Sequence, residues 1–417
     1  SVPTAGQLLS LAALAMCLGA PLFAAFTSRV DRRLLLTASL LVLGAGHVAC
    51  ALAPNYTVLA VLRPLAVLGA AVLTPQAAAT IGLLVPTAQR PAAVTTVFLG
   101  WSVASVVGMP LGNLVASYLS WRAGFGLIAV MAGVSAAIVW RSVPGGLRVA
   151  PLSLQSWLAV AGSPRLRRIL GTTLLWCAGH FMVLGYITPL FRHFLAAPAG
   201  VQAALLGLMG ISGLAGNVLL TRWVERIGPD RASRIALALV AAGLALWCAF
   251  SLFTPSLAGM ALVVLVWGSG SFAFVSAQQA RLGAAAPALA SASIALNSSS
   301  LYAGQALGAT AGGALLATLG YGALGPAGLA TVLLALGQGQ GPVLQQILQR
   351  LRMQGHRQVG PERLPVRGQQ GQQLVLLLLT LAQLLQAAGQ LVTLQQRLLA
   401  QLLLFLAVLL LLLQGGQ

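Results

Sequence analysis

An all-α, polytopic membrane protein is the fold class this sequence predicts, and three observations predict it. Apolar residues make up 59% of the chain and charged residues only 6%, where a water-soluble domain carries about 25% charged residues. The apolar stretches recur at lengths of roughly 20 residues, which is what a helix needs to cross about 30 Å of hydrocarbon. No segment shows the alternating polarity over about ten residues that marks a lipid-facing β-strand. In lipid the backbone must satisfy its own hydrogen bonds, so each apolar stretch is expected to be a helix.

Spans are expected at residues 5–27, 34–53, 57–85, 92–118, 123–142, 169–190, 200–222, 233–253, 256–280, 288–318 and 321–337. Pro54-Asn55, Pro86-Thr87 and Thr254-Pro255 punctuate them as turns. The longest polar link, residues 143–168, sorts the spans into two groups. The expected organisation is an N-terminal transmembrane half over 1–142, a central cytoplasmic loop over 143–168, a C-terminal half over 169–337, and a Gln/Leu-rich tail over 338–417.

Charge orients these spans. All 23 basic residues are arginine, and the only acidic ones are Asp31, Glu225, Asp230 and Glu362. A net charge of +19 raises the question of nucleic acid. The arginines, however, sit in short loops between apolar spans, so the pattern is a topology signal and no nucleic-acid partner is expected. Fourteen of them (Arg29, Arg32, Arg33, Arg90, Arg141, Arg148, Arg165, Arg167, Arg168, Arg222, Arg226, Arg231, Arg234 and Arg281) fall on loops of one face, and only Arg122 and Arg192 on the other. The arginine face is the cytoplasmic one. Ser1 then starts outside, and the expectation is that one helix is missing upstream. A cleaved signal peptide is the rival account. Cys17, Cys50, Cys177 and Cys248 all fall inside spans with no metal-ligand spacing, and they read as small packing residues.

The first arginine loop reads Gly19-Ala-Pro-Leu-Phe-Ala-Ala-Phe-Thr-Ser-Arg29-Val-Asp31-Arg32-Arg33. It has an echo, Thr221-Arg222-Trp-Val-Glu225-Arg226-Ile-Gly228-Pro229-Asp230-Arg231, after the second span of the second group. Either loop alone could be a positive-inside anchor. Two at matching positions point to the internal repeat of secondary transporters. The first loop resembles the signature loop between helices 2 and 3 of the major facilitator superfamily. Ser28 stands where that family usually has Asp, and Asp31 where Gly is common, a variant similar to the arabinose/drug efflux permease branch. Arg63, in Leu62-Arg63-Pro-Leu-Ala-Val-Leu-Gly69, resembles the family's helix 4 motif, although Val67 replaces a usual Gly. Gly108, Pro110 and Gly112 loosely resemble its helix 5 antiporter motif, without the strict Gly-Pro order.

The resemblance covers about residues 1–337 and implies two six-helix halves with the first helix missing. It also implies a gating role for Gly19, Arg29, Asp31, Arg32 and Arg33, and for Arg222, Glu225, Arg226, Gly228 and Arg231. In this family the first, fourth, seventh and tenth helices line the pathway. The cavity candidates are therefore Arg63, whose fixed charge must face protein or water, with Thr173, Trp176 and His180, and with Trp267, Ser271, Phe274 and Gln278 at helical spacing on one face. Asn297 joins them from mid-span. Each could equally serve as a hydrogen bond between helices. The glycines 207/210/213/216 and 304/308/312/313 let helices approach closely, and could form the surfaces on which the halves rock.

The expected function is export of a small solute, a sugar or drug-like compound, by alternating access coupled to proton entry. Its partners are that solute, protons and the lipid bilayer, in a monomer of the cell inner membrane. No enzymatic arrangement, metal site, cofactor or Walker loop is visible. No carboxylate lies mid-span, so His47 and His180 are candidate proton carriers, beside an acidic residue that relatives often place on the first helix. With Arg63 and no spanning carboxylate, neutral or anionic solutes are expected over cations. Rival readings are an uncoupled facilitator, a non-transporting membrane protein, and an inactive fragment.

Residues 338–417 hold 19 Gln in 80 positions, against 8 in residues 1–337. An amphipathic surface helix is one reading; a frameshift that turns GCA alanine codons into CAG is the other. Translating the underlying DNA in all frames should reveal an uninterrupted apolar helix in another frame. Its absence would rule the frameshift out.

Overall fold

The computed structural model describes residues 2–27, 29–86, 100, 103–148, 154–251 and 256–338. Among these the chain is helical apart from short turns, with no strand. The helices are α1 (Val2–Phe26), α2 (Arg32–Ala51), α3 (Tyr56–Leu84), a π-helical turn (Ala104–Gly108) running into α4 (Met109–Tyr118), α5 (Trp121–Ser142), α6 (Leu154–Gly162), α7 (Pro164–Leu184), α8 (Ile187–Leu195), α9 (Ala199–Ile227), α10 (Pro229–Ser251), α11 (Leu257–Ala285), α12 (Ala290–Leu319) and α13 (Leu324–Gln338). Ser28, Arg90, Thr87, Thr254-Pro255, the first residues of the span expected at 92–118, and the tail beyond Gln338 lie outside the described residues.

Eight helices are long and apolar enough to cross a bilayer, or nine if α7 and α8, bent by 45°, count as one. Helix α12 is 30 residues long; its serines, Asn297 and Gln305 leave it outside that set. It tolerates them because it packs along α1 and α7, with Ser293, Asn297, Ser299 and Ser300 buried. Short polar side chains start the helices where turns were expected. Asn55 accepts from the Val58 N–H at 3.0 Å, Ser120 from Ala123 at 3.1 Å and Ser256 from Gly259 at 3.2 Å. Each satisfies a donor that the first helical turn would otherwise leave open.

Several boundaries differ from expectation: the span expected at 169–190 starts at Pro164 and breaks after Leu184, and the one expected at 256–280 runs to Ala285. Helix α9 runs to Ile227 rather than ending at 222, and its link to α10 shrinks to Gly228, which has φ 79°. Arg222, Glu225 and Arg226 are good helix formers, and a helix can continue past the hydrocarbon edge once its side chains are polar. The central link is not all loop. It contains α6, whose Trp157 and Val160 are buried against α7 and α12.

The helices pack in two sets that repeat one pattern. In the N-terminal set α2 lies against both α3 and α5, and α1 lies against α3. In the C-terminal set α10 lies against both α11 and α13, and α9 lies against α11. Between the sets α1 packs on α12, and the π-turn and α4 pack on α9. The π-turn has a covalent cause: Pro110 has no N–H to donate to the carbonyl of Val106 one turn back, and a widened turn absorbs the mismatch. On the outside, Leu41, Val42, Val61, Val130, Met131 and Ile138 are exposed. A belt of that kind suits lipid and not water.

The glycine stripes divide by partner. A Cβ on Gly210 would meet the backbone of Val106, which joins the two sets, whereas Gly213 and Gly216 admit Phe272 and Ser269 of α11. Gly304, Gly308 and Gly312 admit α7, with Gly313 close to both Tyr186 and Pro3. Most of these close approaches therefore build the C-terminal set internally, while Gly210 and Gly313, with Gly207 against Pro110, serve the seam. Gly108 and Gly112 have no neighbour within 4 Å of a Cβ. Gly216→Ala should push α9 from α11 and cost about 1–3 kcal/mol, read as a lowered melting temperature in detergent. Gly124→Ala, with open space around it, should leave stability unchanged or raise it. Equal losses in both would contradict this packing.

Candidate functional site

A cavity of about 360 Å³ lies where the two sets meet. The C-terminal set supplies most of its wall: Trp176, His180, Phe181 and Leu184 from α7, Met209, Gly210 and Asn217 from α9, Gly268, Ser271, Phe272, Val275 and Ser276 from α11, and Leu301, Tyr302 and Gln305 from α12. The N-terminal set closes it with Leu9, Ser105 and Met109. No charged side chain is among these residues. The π-turn brings Ser105 to the wall, because it is what lets this segment approach Gly210.

Behind the wall is a buried aromatic layer. Trp176 stacks on His180 with ring centroids 5.1 Å apart and planes 19° apart, and Phe274 packs on Trp176 at 4.7 Å. Trp267 meets His180 edge-on and donates its Nε1–H to His180 Nδ1 at 3.0 Å. An indole nitrogen only donates, so Nδ1 is the accepting nitrogen, and the proton of the neutral ring is on Nε2. Trp267 and Phe274 are fully buried and support the wall without lining it.

Thr173, Gln278 and Asn297 do something else. Gln278 Nε2 donates to Thr173 Oγ1 at 3.0 Å and to the Ile169 carbonyl at 3.1 Å; Thr173 donates to Asn297 Oδ1 at 2.7 Å. The chain continues outward. Arg281 donates to Gln278 Oε1 at 2.8 Å and pairs with Asp230 at 2.7 Å. These bonds tie α7, α10, α11 and α12 together at the arginine-rich end, where the resemblance had suggested cavity residues.

Arg63 is also apart from the cavity wall. It donates to His47 Nε2 at 2.9 Å and lies over the Phe125 ring at 5.2 Å, between α2, α3 and α5. The His47 Nδ1 donates to the Leu43 carbonyl at 2.8 Å, which leaves Nε2 as an acceptor for the guanidinium. Phe125 stacks at a tilt on His47 at 5.8 Å.

At the arginine-rich end, Gly19 is buried where α1 crosses α3, and Arg29 is exposed. Asp31 caps α2 by accepting from Leu34 N–H at 3.1 Å, and it also accepts from Gly146 N–H. These backbone donors, Leu34 first, hold its carboxyl below the usual range although it is exposed. Arg32 is fully buried, donates from its backbone to the Leu147 carbonyl at 2.9 Å, and reaches Gln76 Oε1 at 2.5 Å. Arg33 lies 4.0 Å over Trp140. The loop thus joins α1, α2 and α3 to the start of the central link. In the echo, Arg222, Glu225, Arg226 and Arg231 are exposed, and Asp230 makes the ion pair.

Several wall residues escaped sequence reasoning. Asn217, Leu301, Tyr302 and Gln305 had a signal: Leu301 and Gln305 fall one and two turns after Asn297 on one face, and Asn217 is a polar amide within the glycine stripe of α9. On α11 the cavity face is Gly268/Ser271/Phe272/Val275, about one residue around from the expected Trp267/Ser271/Phe274/Gln278. Leu9 and Met109 carried no signal.

The comparisons agree with this architecture. The family model described as Major Facilitator Superfamily matches residues 1–309. The chain is 30% identical over 326 residues to the inner membrane transport protein YdhP of Escherichia coli, covering 77% of this chain and 82% of that protein. It is 30% identical over 302 residues to a probable sugar efflux transporter of Mannheimia succiniciproducens, covering 72% and 75%. It is 30% identical over 348 residues to a chloramphenicol resistance protein of Streptomyces lividans, covering 81% and 86%. In fold it is similar to the crystal structure of the human organic anion transporter MFSD10, with a TM-score of 0.64, 16% identity, and 81% and 83% of the two chains covered. The chain belongs to the major facilitator superfamily, as a multi-pass protein of the inner membrane.

Proposed function

We propose that this protein exports a small solute, a sugar or drug-like compound, by alternating access, with protons entering as the solute leaves. The observation that carries this reading is the placement of the cavity: it lies at the seam between two helix sets of like packing, and both contribute to its wall. Two sets that meet along α1–α12 and α4–α9 can rock about such a site, which is how repeat-built transporters alternate access. Relatives named for sugar efflux and for chloramphenicol resistance support the outward direction and the solute class.

The lining favours neutral or anionic solutes. No carboxylate is on the wall to balance a cation, and Asp31, Glu225 and Asp230 are all at helix ends on the arginine-rich face.

For coupling, the His47–Arg63 pair is the better placed of the two histidine sites. The His47 Nε2 lone pair accepts from Arg63. A proton on that nitrogen and the guanidinium bond exclude each other, so protonation would free Arg63 to move.

Transport of labelled neutral, anionic and cationic solutes into inverted proteoliposomes, with and without an imposed pH gradient, tests this. Uptake should be driven by the gradient and fall when it is collapsed; gradient-insensitive uptake would identify an uncoupled facilitator. Arg63→Ala should slow uptake about tenfold or more, the scale of one charge-assisted hydrogen bond. His47→Gln should keep uptake but remove its dependence on the gradient. Unchanged behaviour in both variants would refute the role given to this pair.

A further inference from the structure

Two side chains of the cavity wall, Trp176 and His180, carry ring N–H donors that find no acceptor among the described residues. The Trp176 indole N–H is buried and has no partner among the described residues, although Trp176 itself lines the cavity and is only 3% exposed. His180 lines the cavity one turn on. Trp267 occupies its Nδ1 as a donor, so the imidazole carries its proton on Nε2, for which no partner is found among the described residues. A buried, unmade N–H costs more than a hydrogen bond gains, so such groups persist where something supplies the acceptor. The Trp267 bond fixes the His180 tautomer and the stacked rings form one unit; the Trp176 N–H is closed off in the empty cavity, so a solute must part the wall slightly to reach it.

We propose that Trp176 Nε1–H and His180 Nε2–H read the solute, and that the cavity takes a ring-bearing compound with an acceptor oxygen, such as a carbonyl or carboxylate. Phe181, Phe272 and Tyr302 supply surfaces for the ring. The oxygen completes the two open donors. This deepens the transport reading and rests on it. It also gives His180 a role distinct from proton carriage: Nδ1 cannot take a proton without losing the bond from Trp267, whose indole has no acceptor to offer in return. A site built around donors discriminates strongly against an isostere that lacks the oxygen, because the donors are then left unpaired.

The test is equilibrium dialysis of three probes against the full chain in detergent, with detergent-only controls: 2-acetylnaphthalene, 2-naphthoate and 2-ethylnaphthalene. The ketone should bind at least about tenfold tighter than the ethyl analogue. Comparing ketone with carboxylate tells whether the oxygen is read as neutral or anionic. Trp176→Phe and His180→Phe each keep a ring and lose a donor. Each should cut the ketone-to-ethyl ratio about three- to tenfold, while His180→Gln, which retains an N–H, should keep more of it. A merely structural role would weaken both probes equally and leave the ratio unchanged. Equal binding of ketone and ethyl analogue, or no binding of any probe, overturns the inference. Uptake of solute by proteoliposomes despite equal binding would leave the transport reading standing while this one falls.

Discussion

Everything in this molecule follows from a backbone that has no water to bond with. In hydrocarbon each N–H and C=O must be paired within the chain, so the apolar sequence can only be helix. The remaining freedom lies in how helices approach one another. Because lipid is as apolar as leucine, burial alone does not hold these helices together; close approach and a few polar bonds do. Gly213 and Gly216 bring α9 against α11, Gly304 and Gly308 bring α12 against α7, and Thr173, Gln278 and Asn297 bond α7, α11 and α12. The C-terminal set is thereby a tied unit, with Asp230 and Arg281 closing its arginine-rich end.

The seam between the sets is built differently. It rests on α1 against α12 and on the π-turn and α4 against α9, where Asn113 donates to the Ala199 carbonyl at 3.3 Å. A set bonded within itself, which meets the other along α1–α12 and α4–α9, is the kind of unit that rigid-body rocking needs. The cavity sits on that seam, so whatever rocks the sets also changes access to it. The Asp31–Arg32 loop adds a tether at one end, where it binds Gly146 and Leu147 of the central link. That link is the covalent connection between the sets.

Much of this could be read in the sequence. The span positions, the arginine-rich face and the paired loops depend on composition and period, which are one-dimensional signals. The cavity was only partly legible. Trp176, His180 and Ser271 line it as expected, because the helical period places them on the inward face. Trp267 and Phe274 do not, because a helix packed by several neighbours has no single polar face to reveal which way it turns: α11 is packed by α9, α10, α7 and α12. Gln278, Thr173 and Asn297 are polar for each other's sake, and a lone sequence cannot tell a polar pair from a polar pore. Arg63 carried a strong signal of function, but the sequence could not show that His47 and Phe125 would enclose it within the N-terminal set. The reach of α9 to Ile227 was hidden because polar residues end the apolar pattern before they end the helix.

The account's central claim is that one cavity faces each side of the membrane in turn. The most direct measurement places a single cysteine at position 271, as Ser271→Cys in a chain whose four buried native cysteines are replaced, and follows its labelling by a membrane-impermeant thiol reagent. In oriented proteoliposomes the account predicts labelling from either face, with the balance between faces shifting when a pH gradient is imposed. Labelling from one face only under every condition, or from neither, would contradict it.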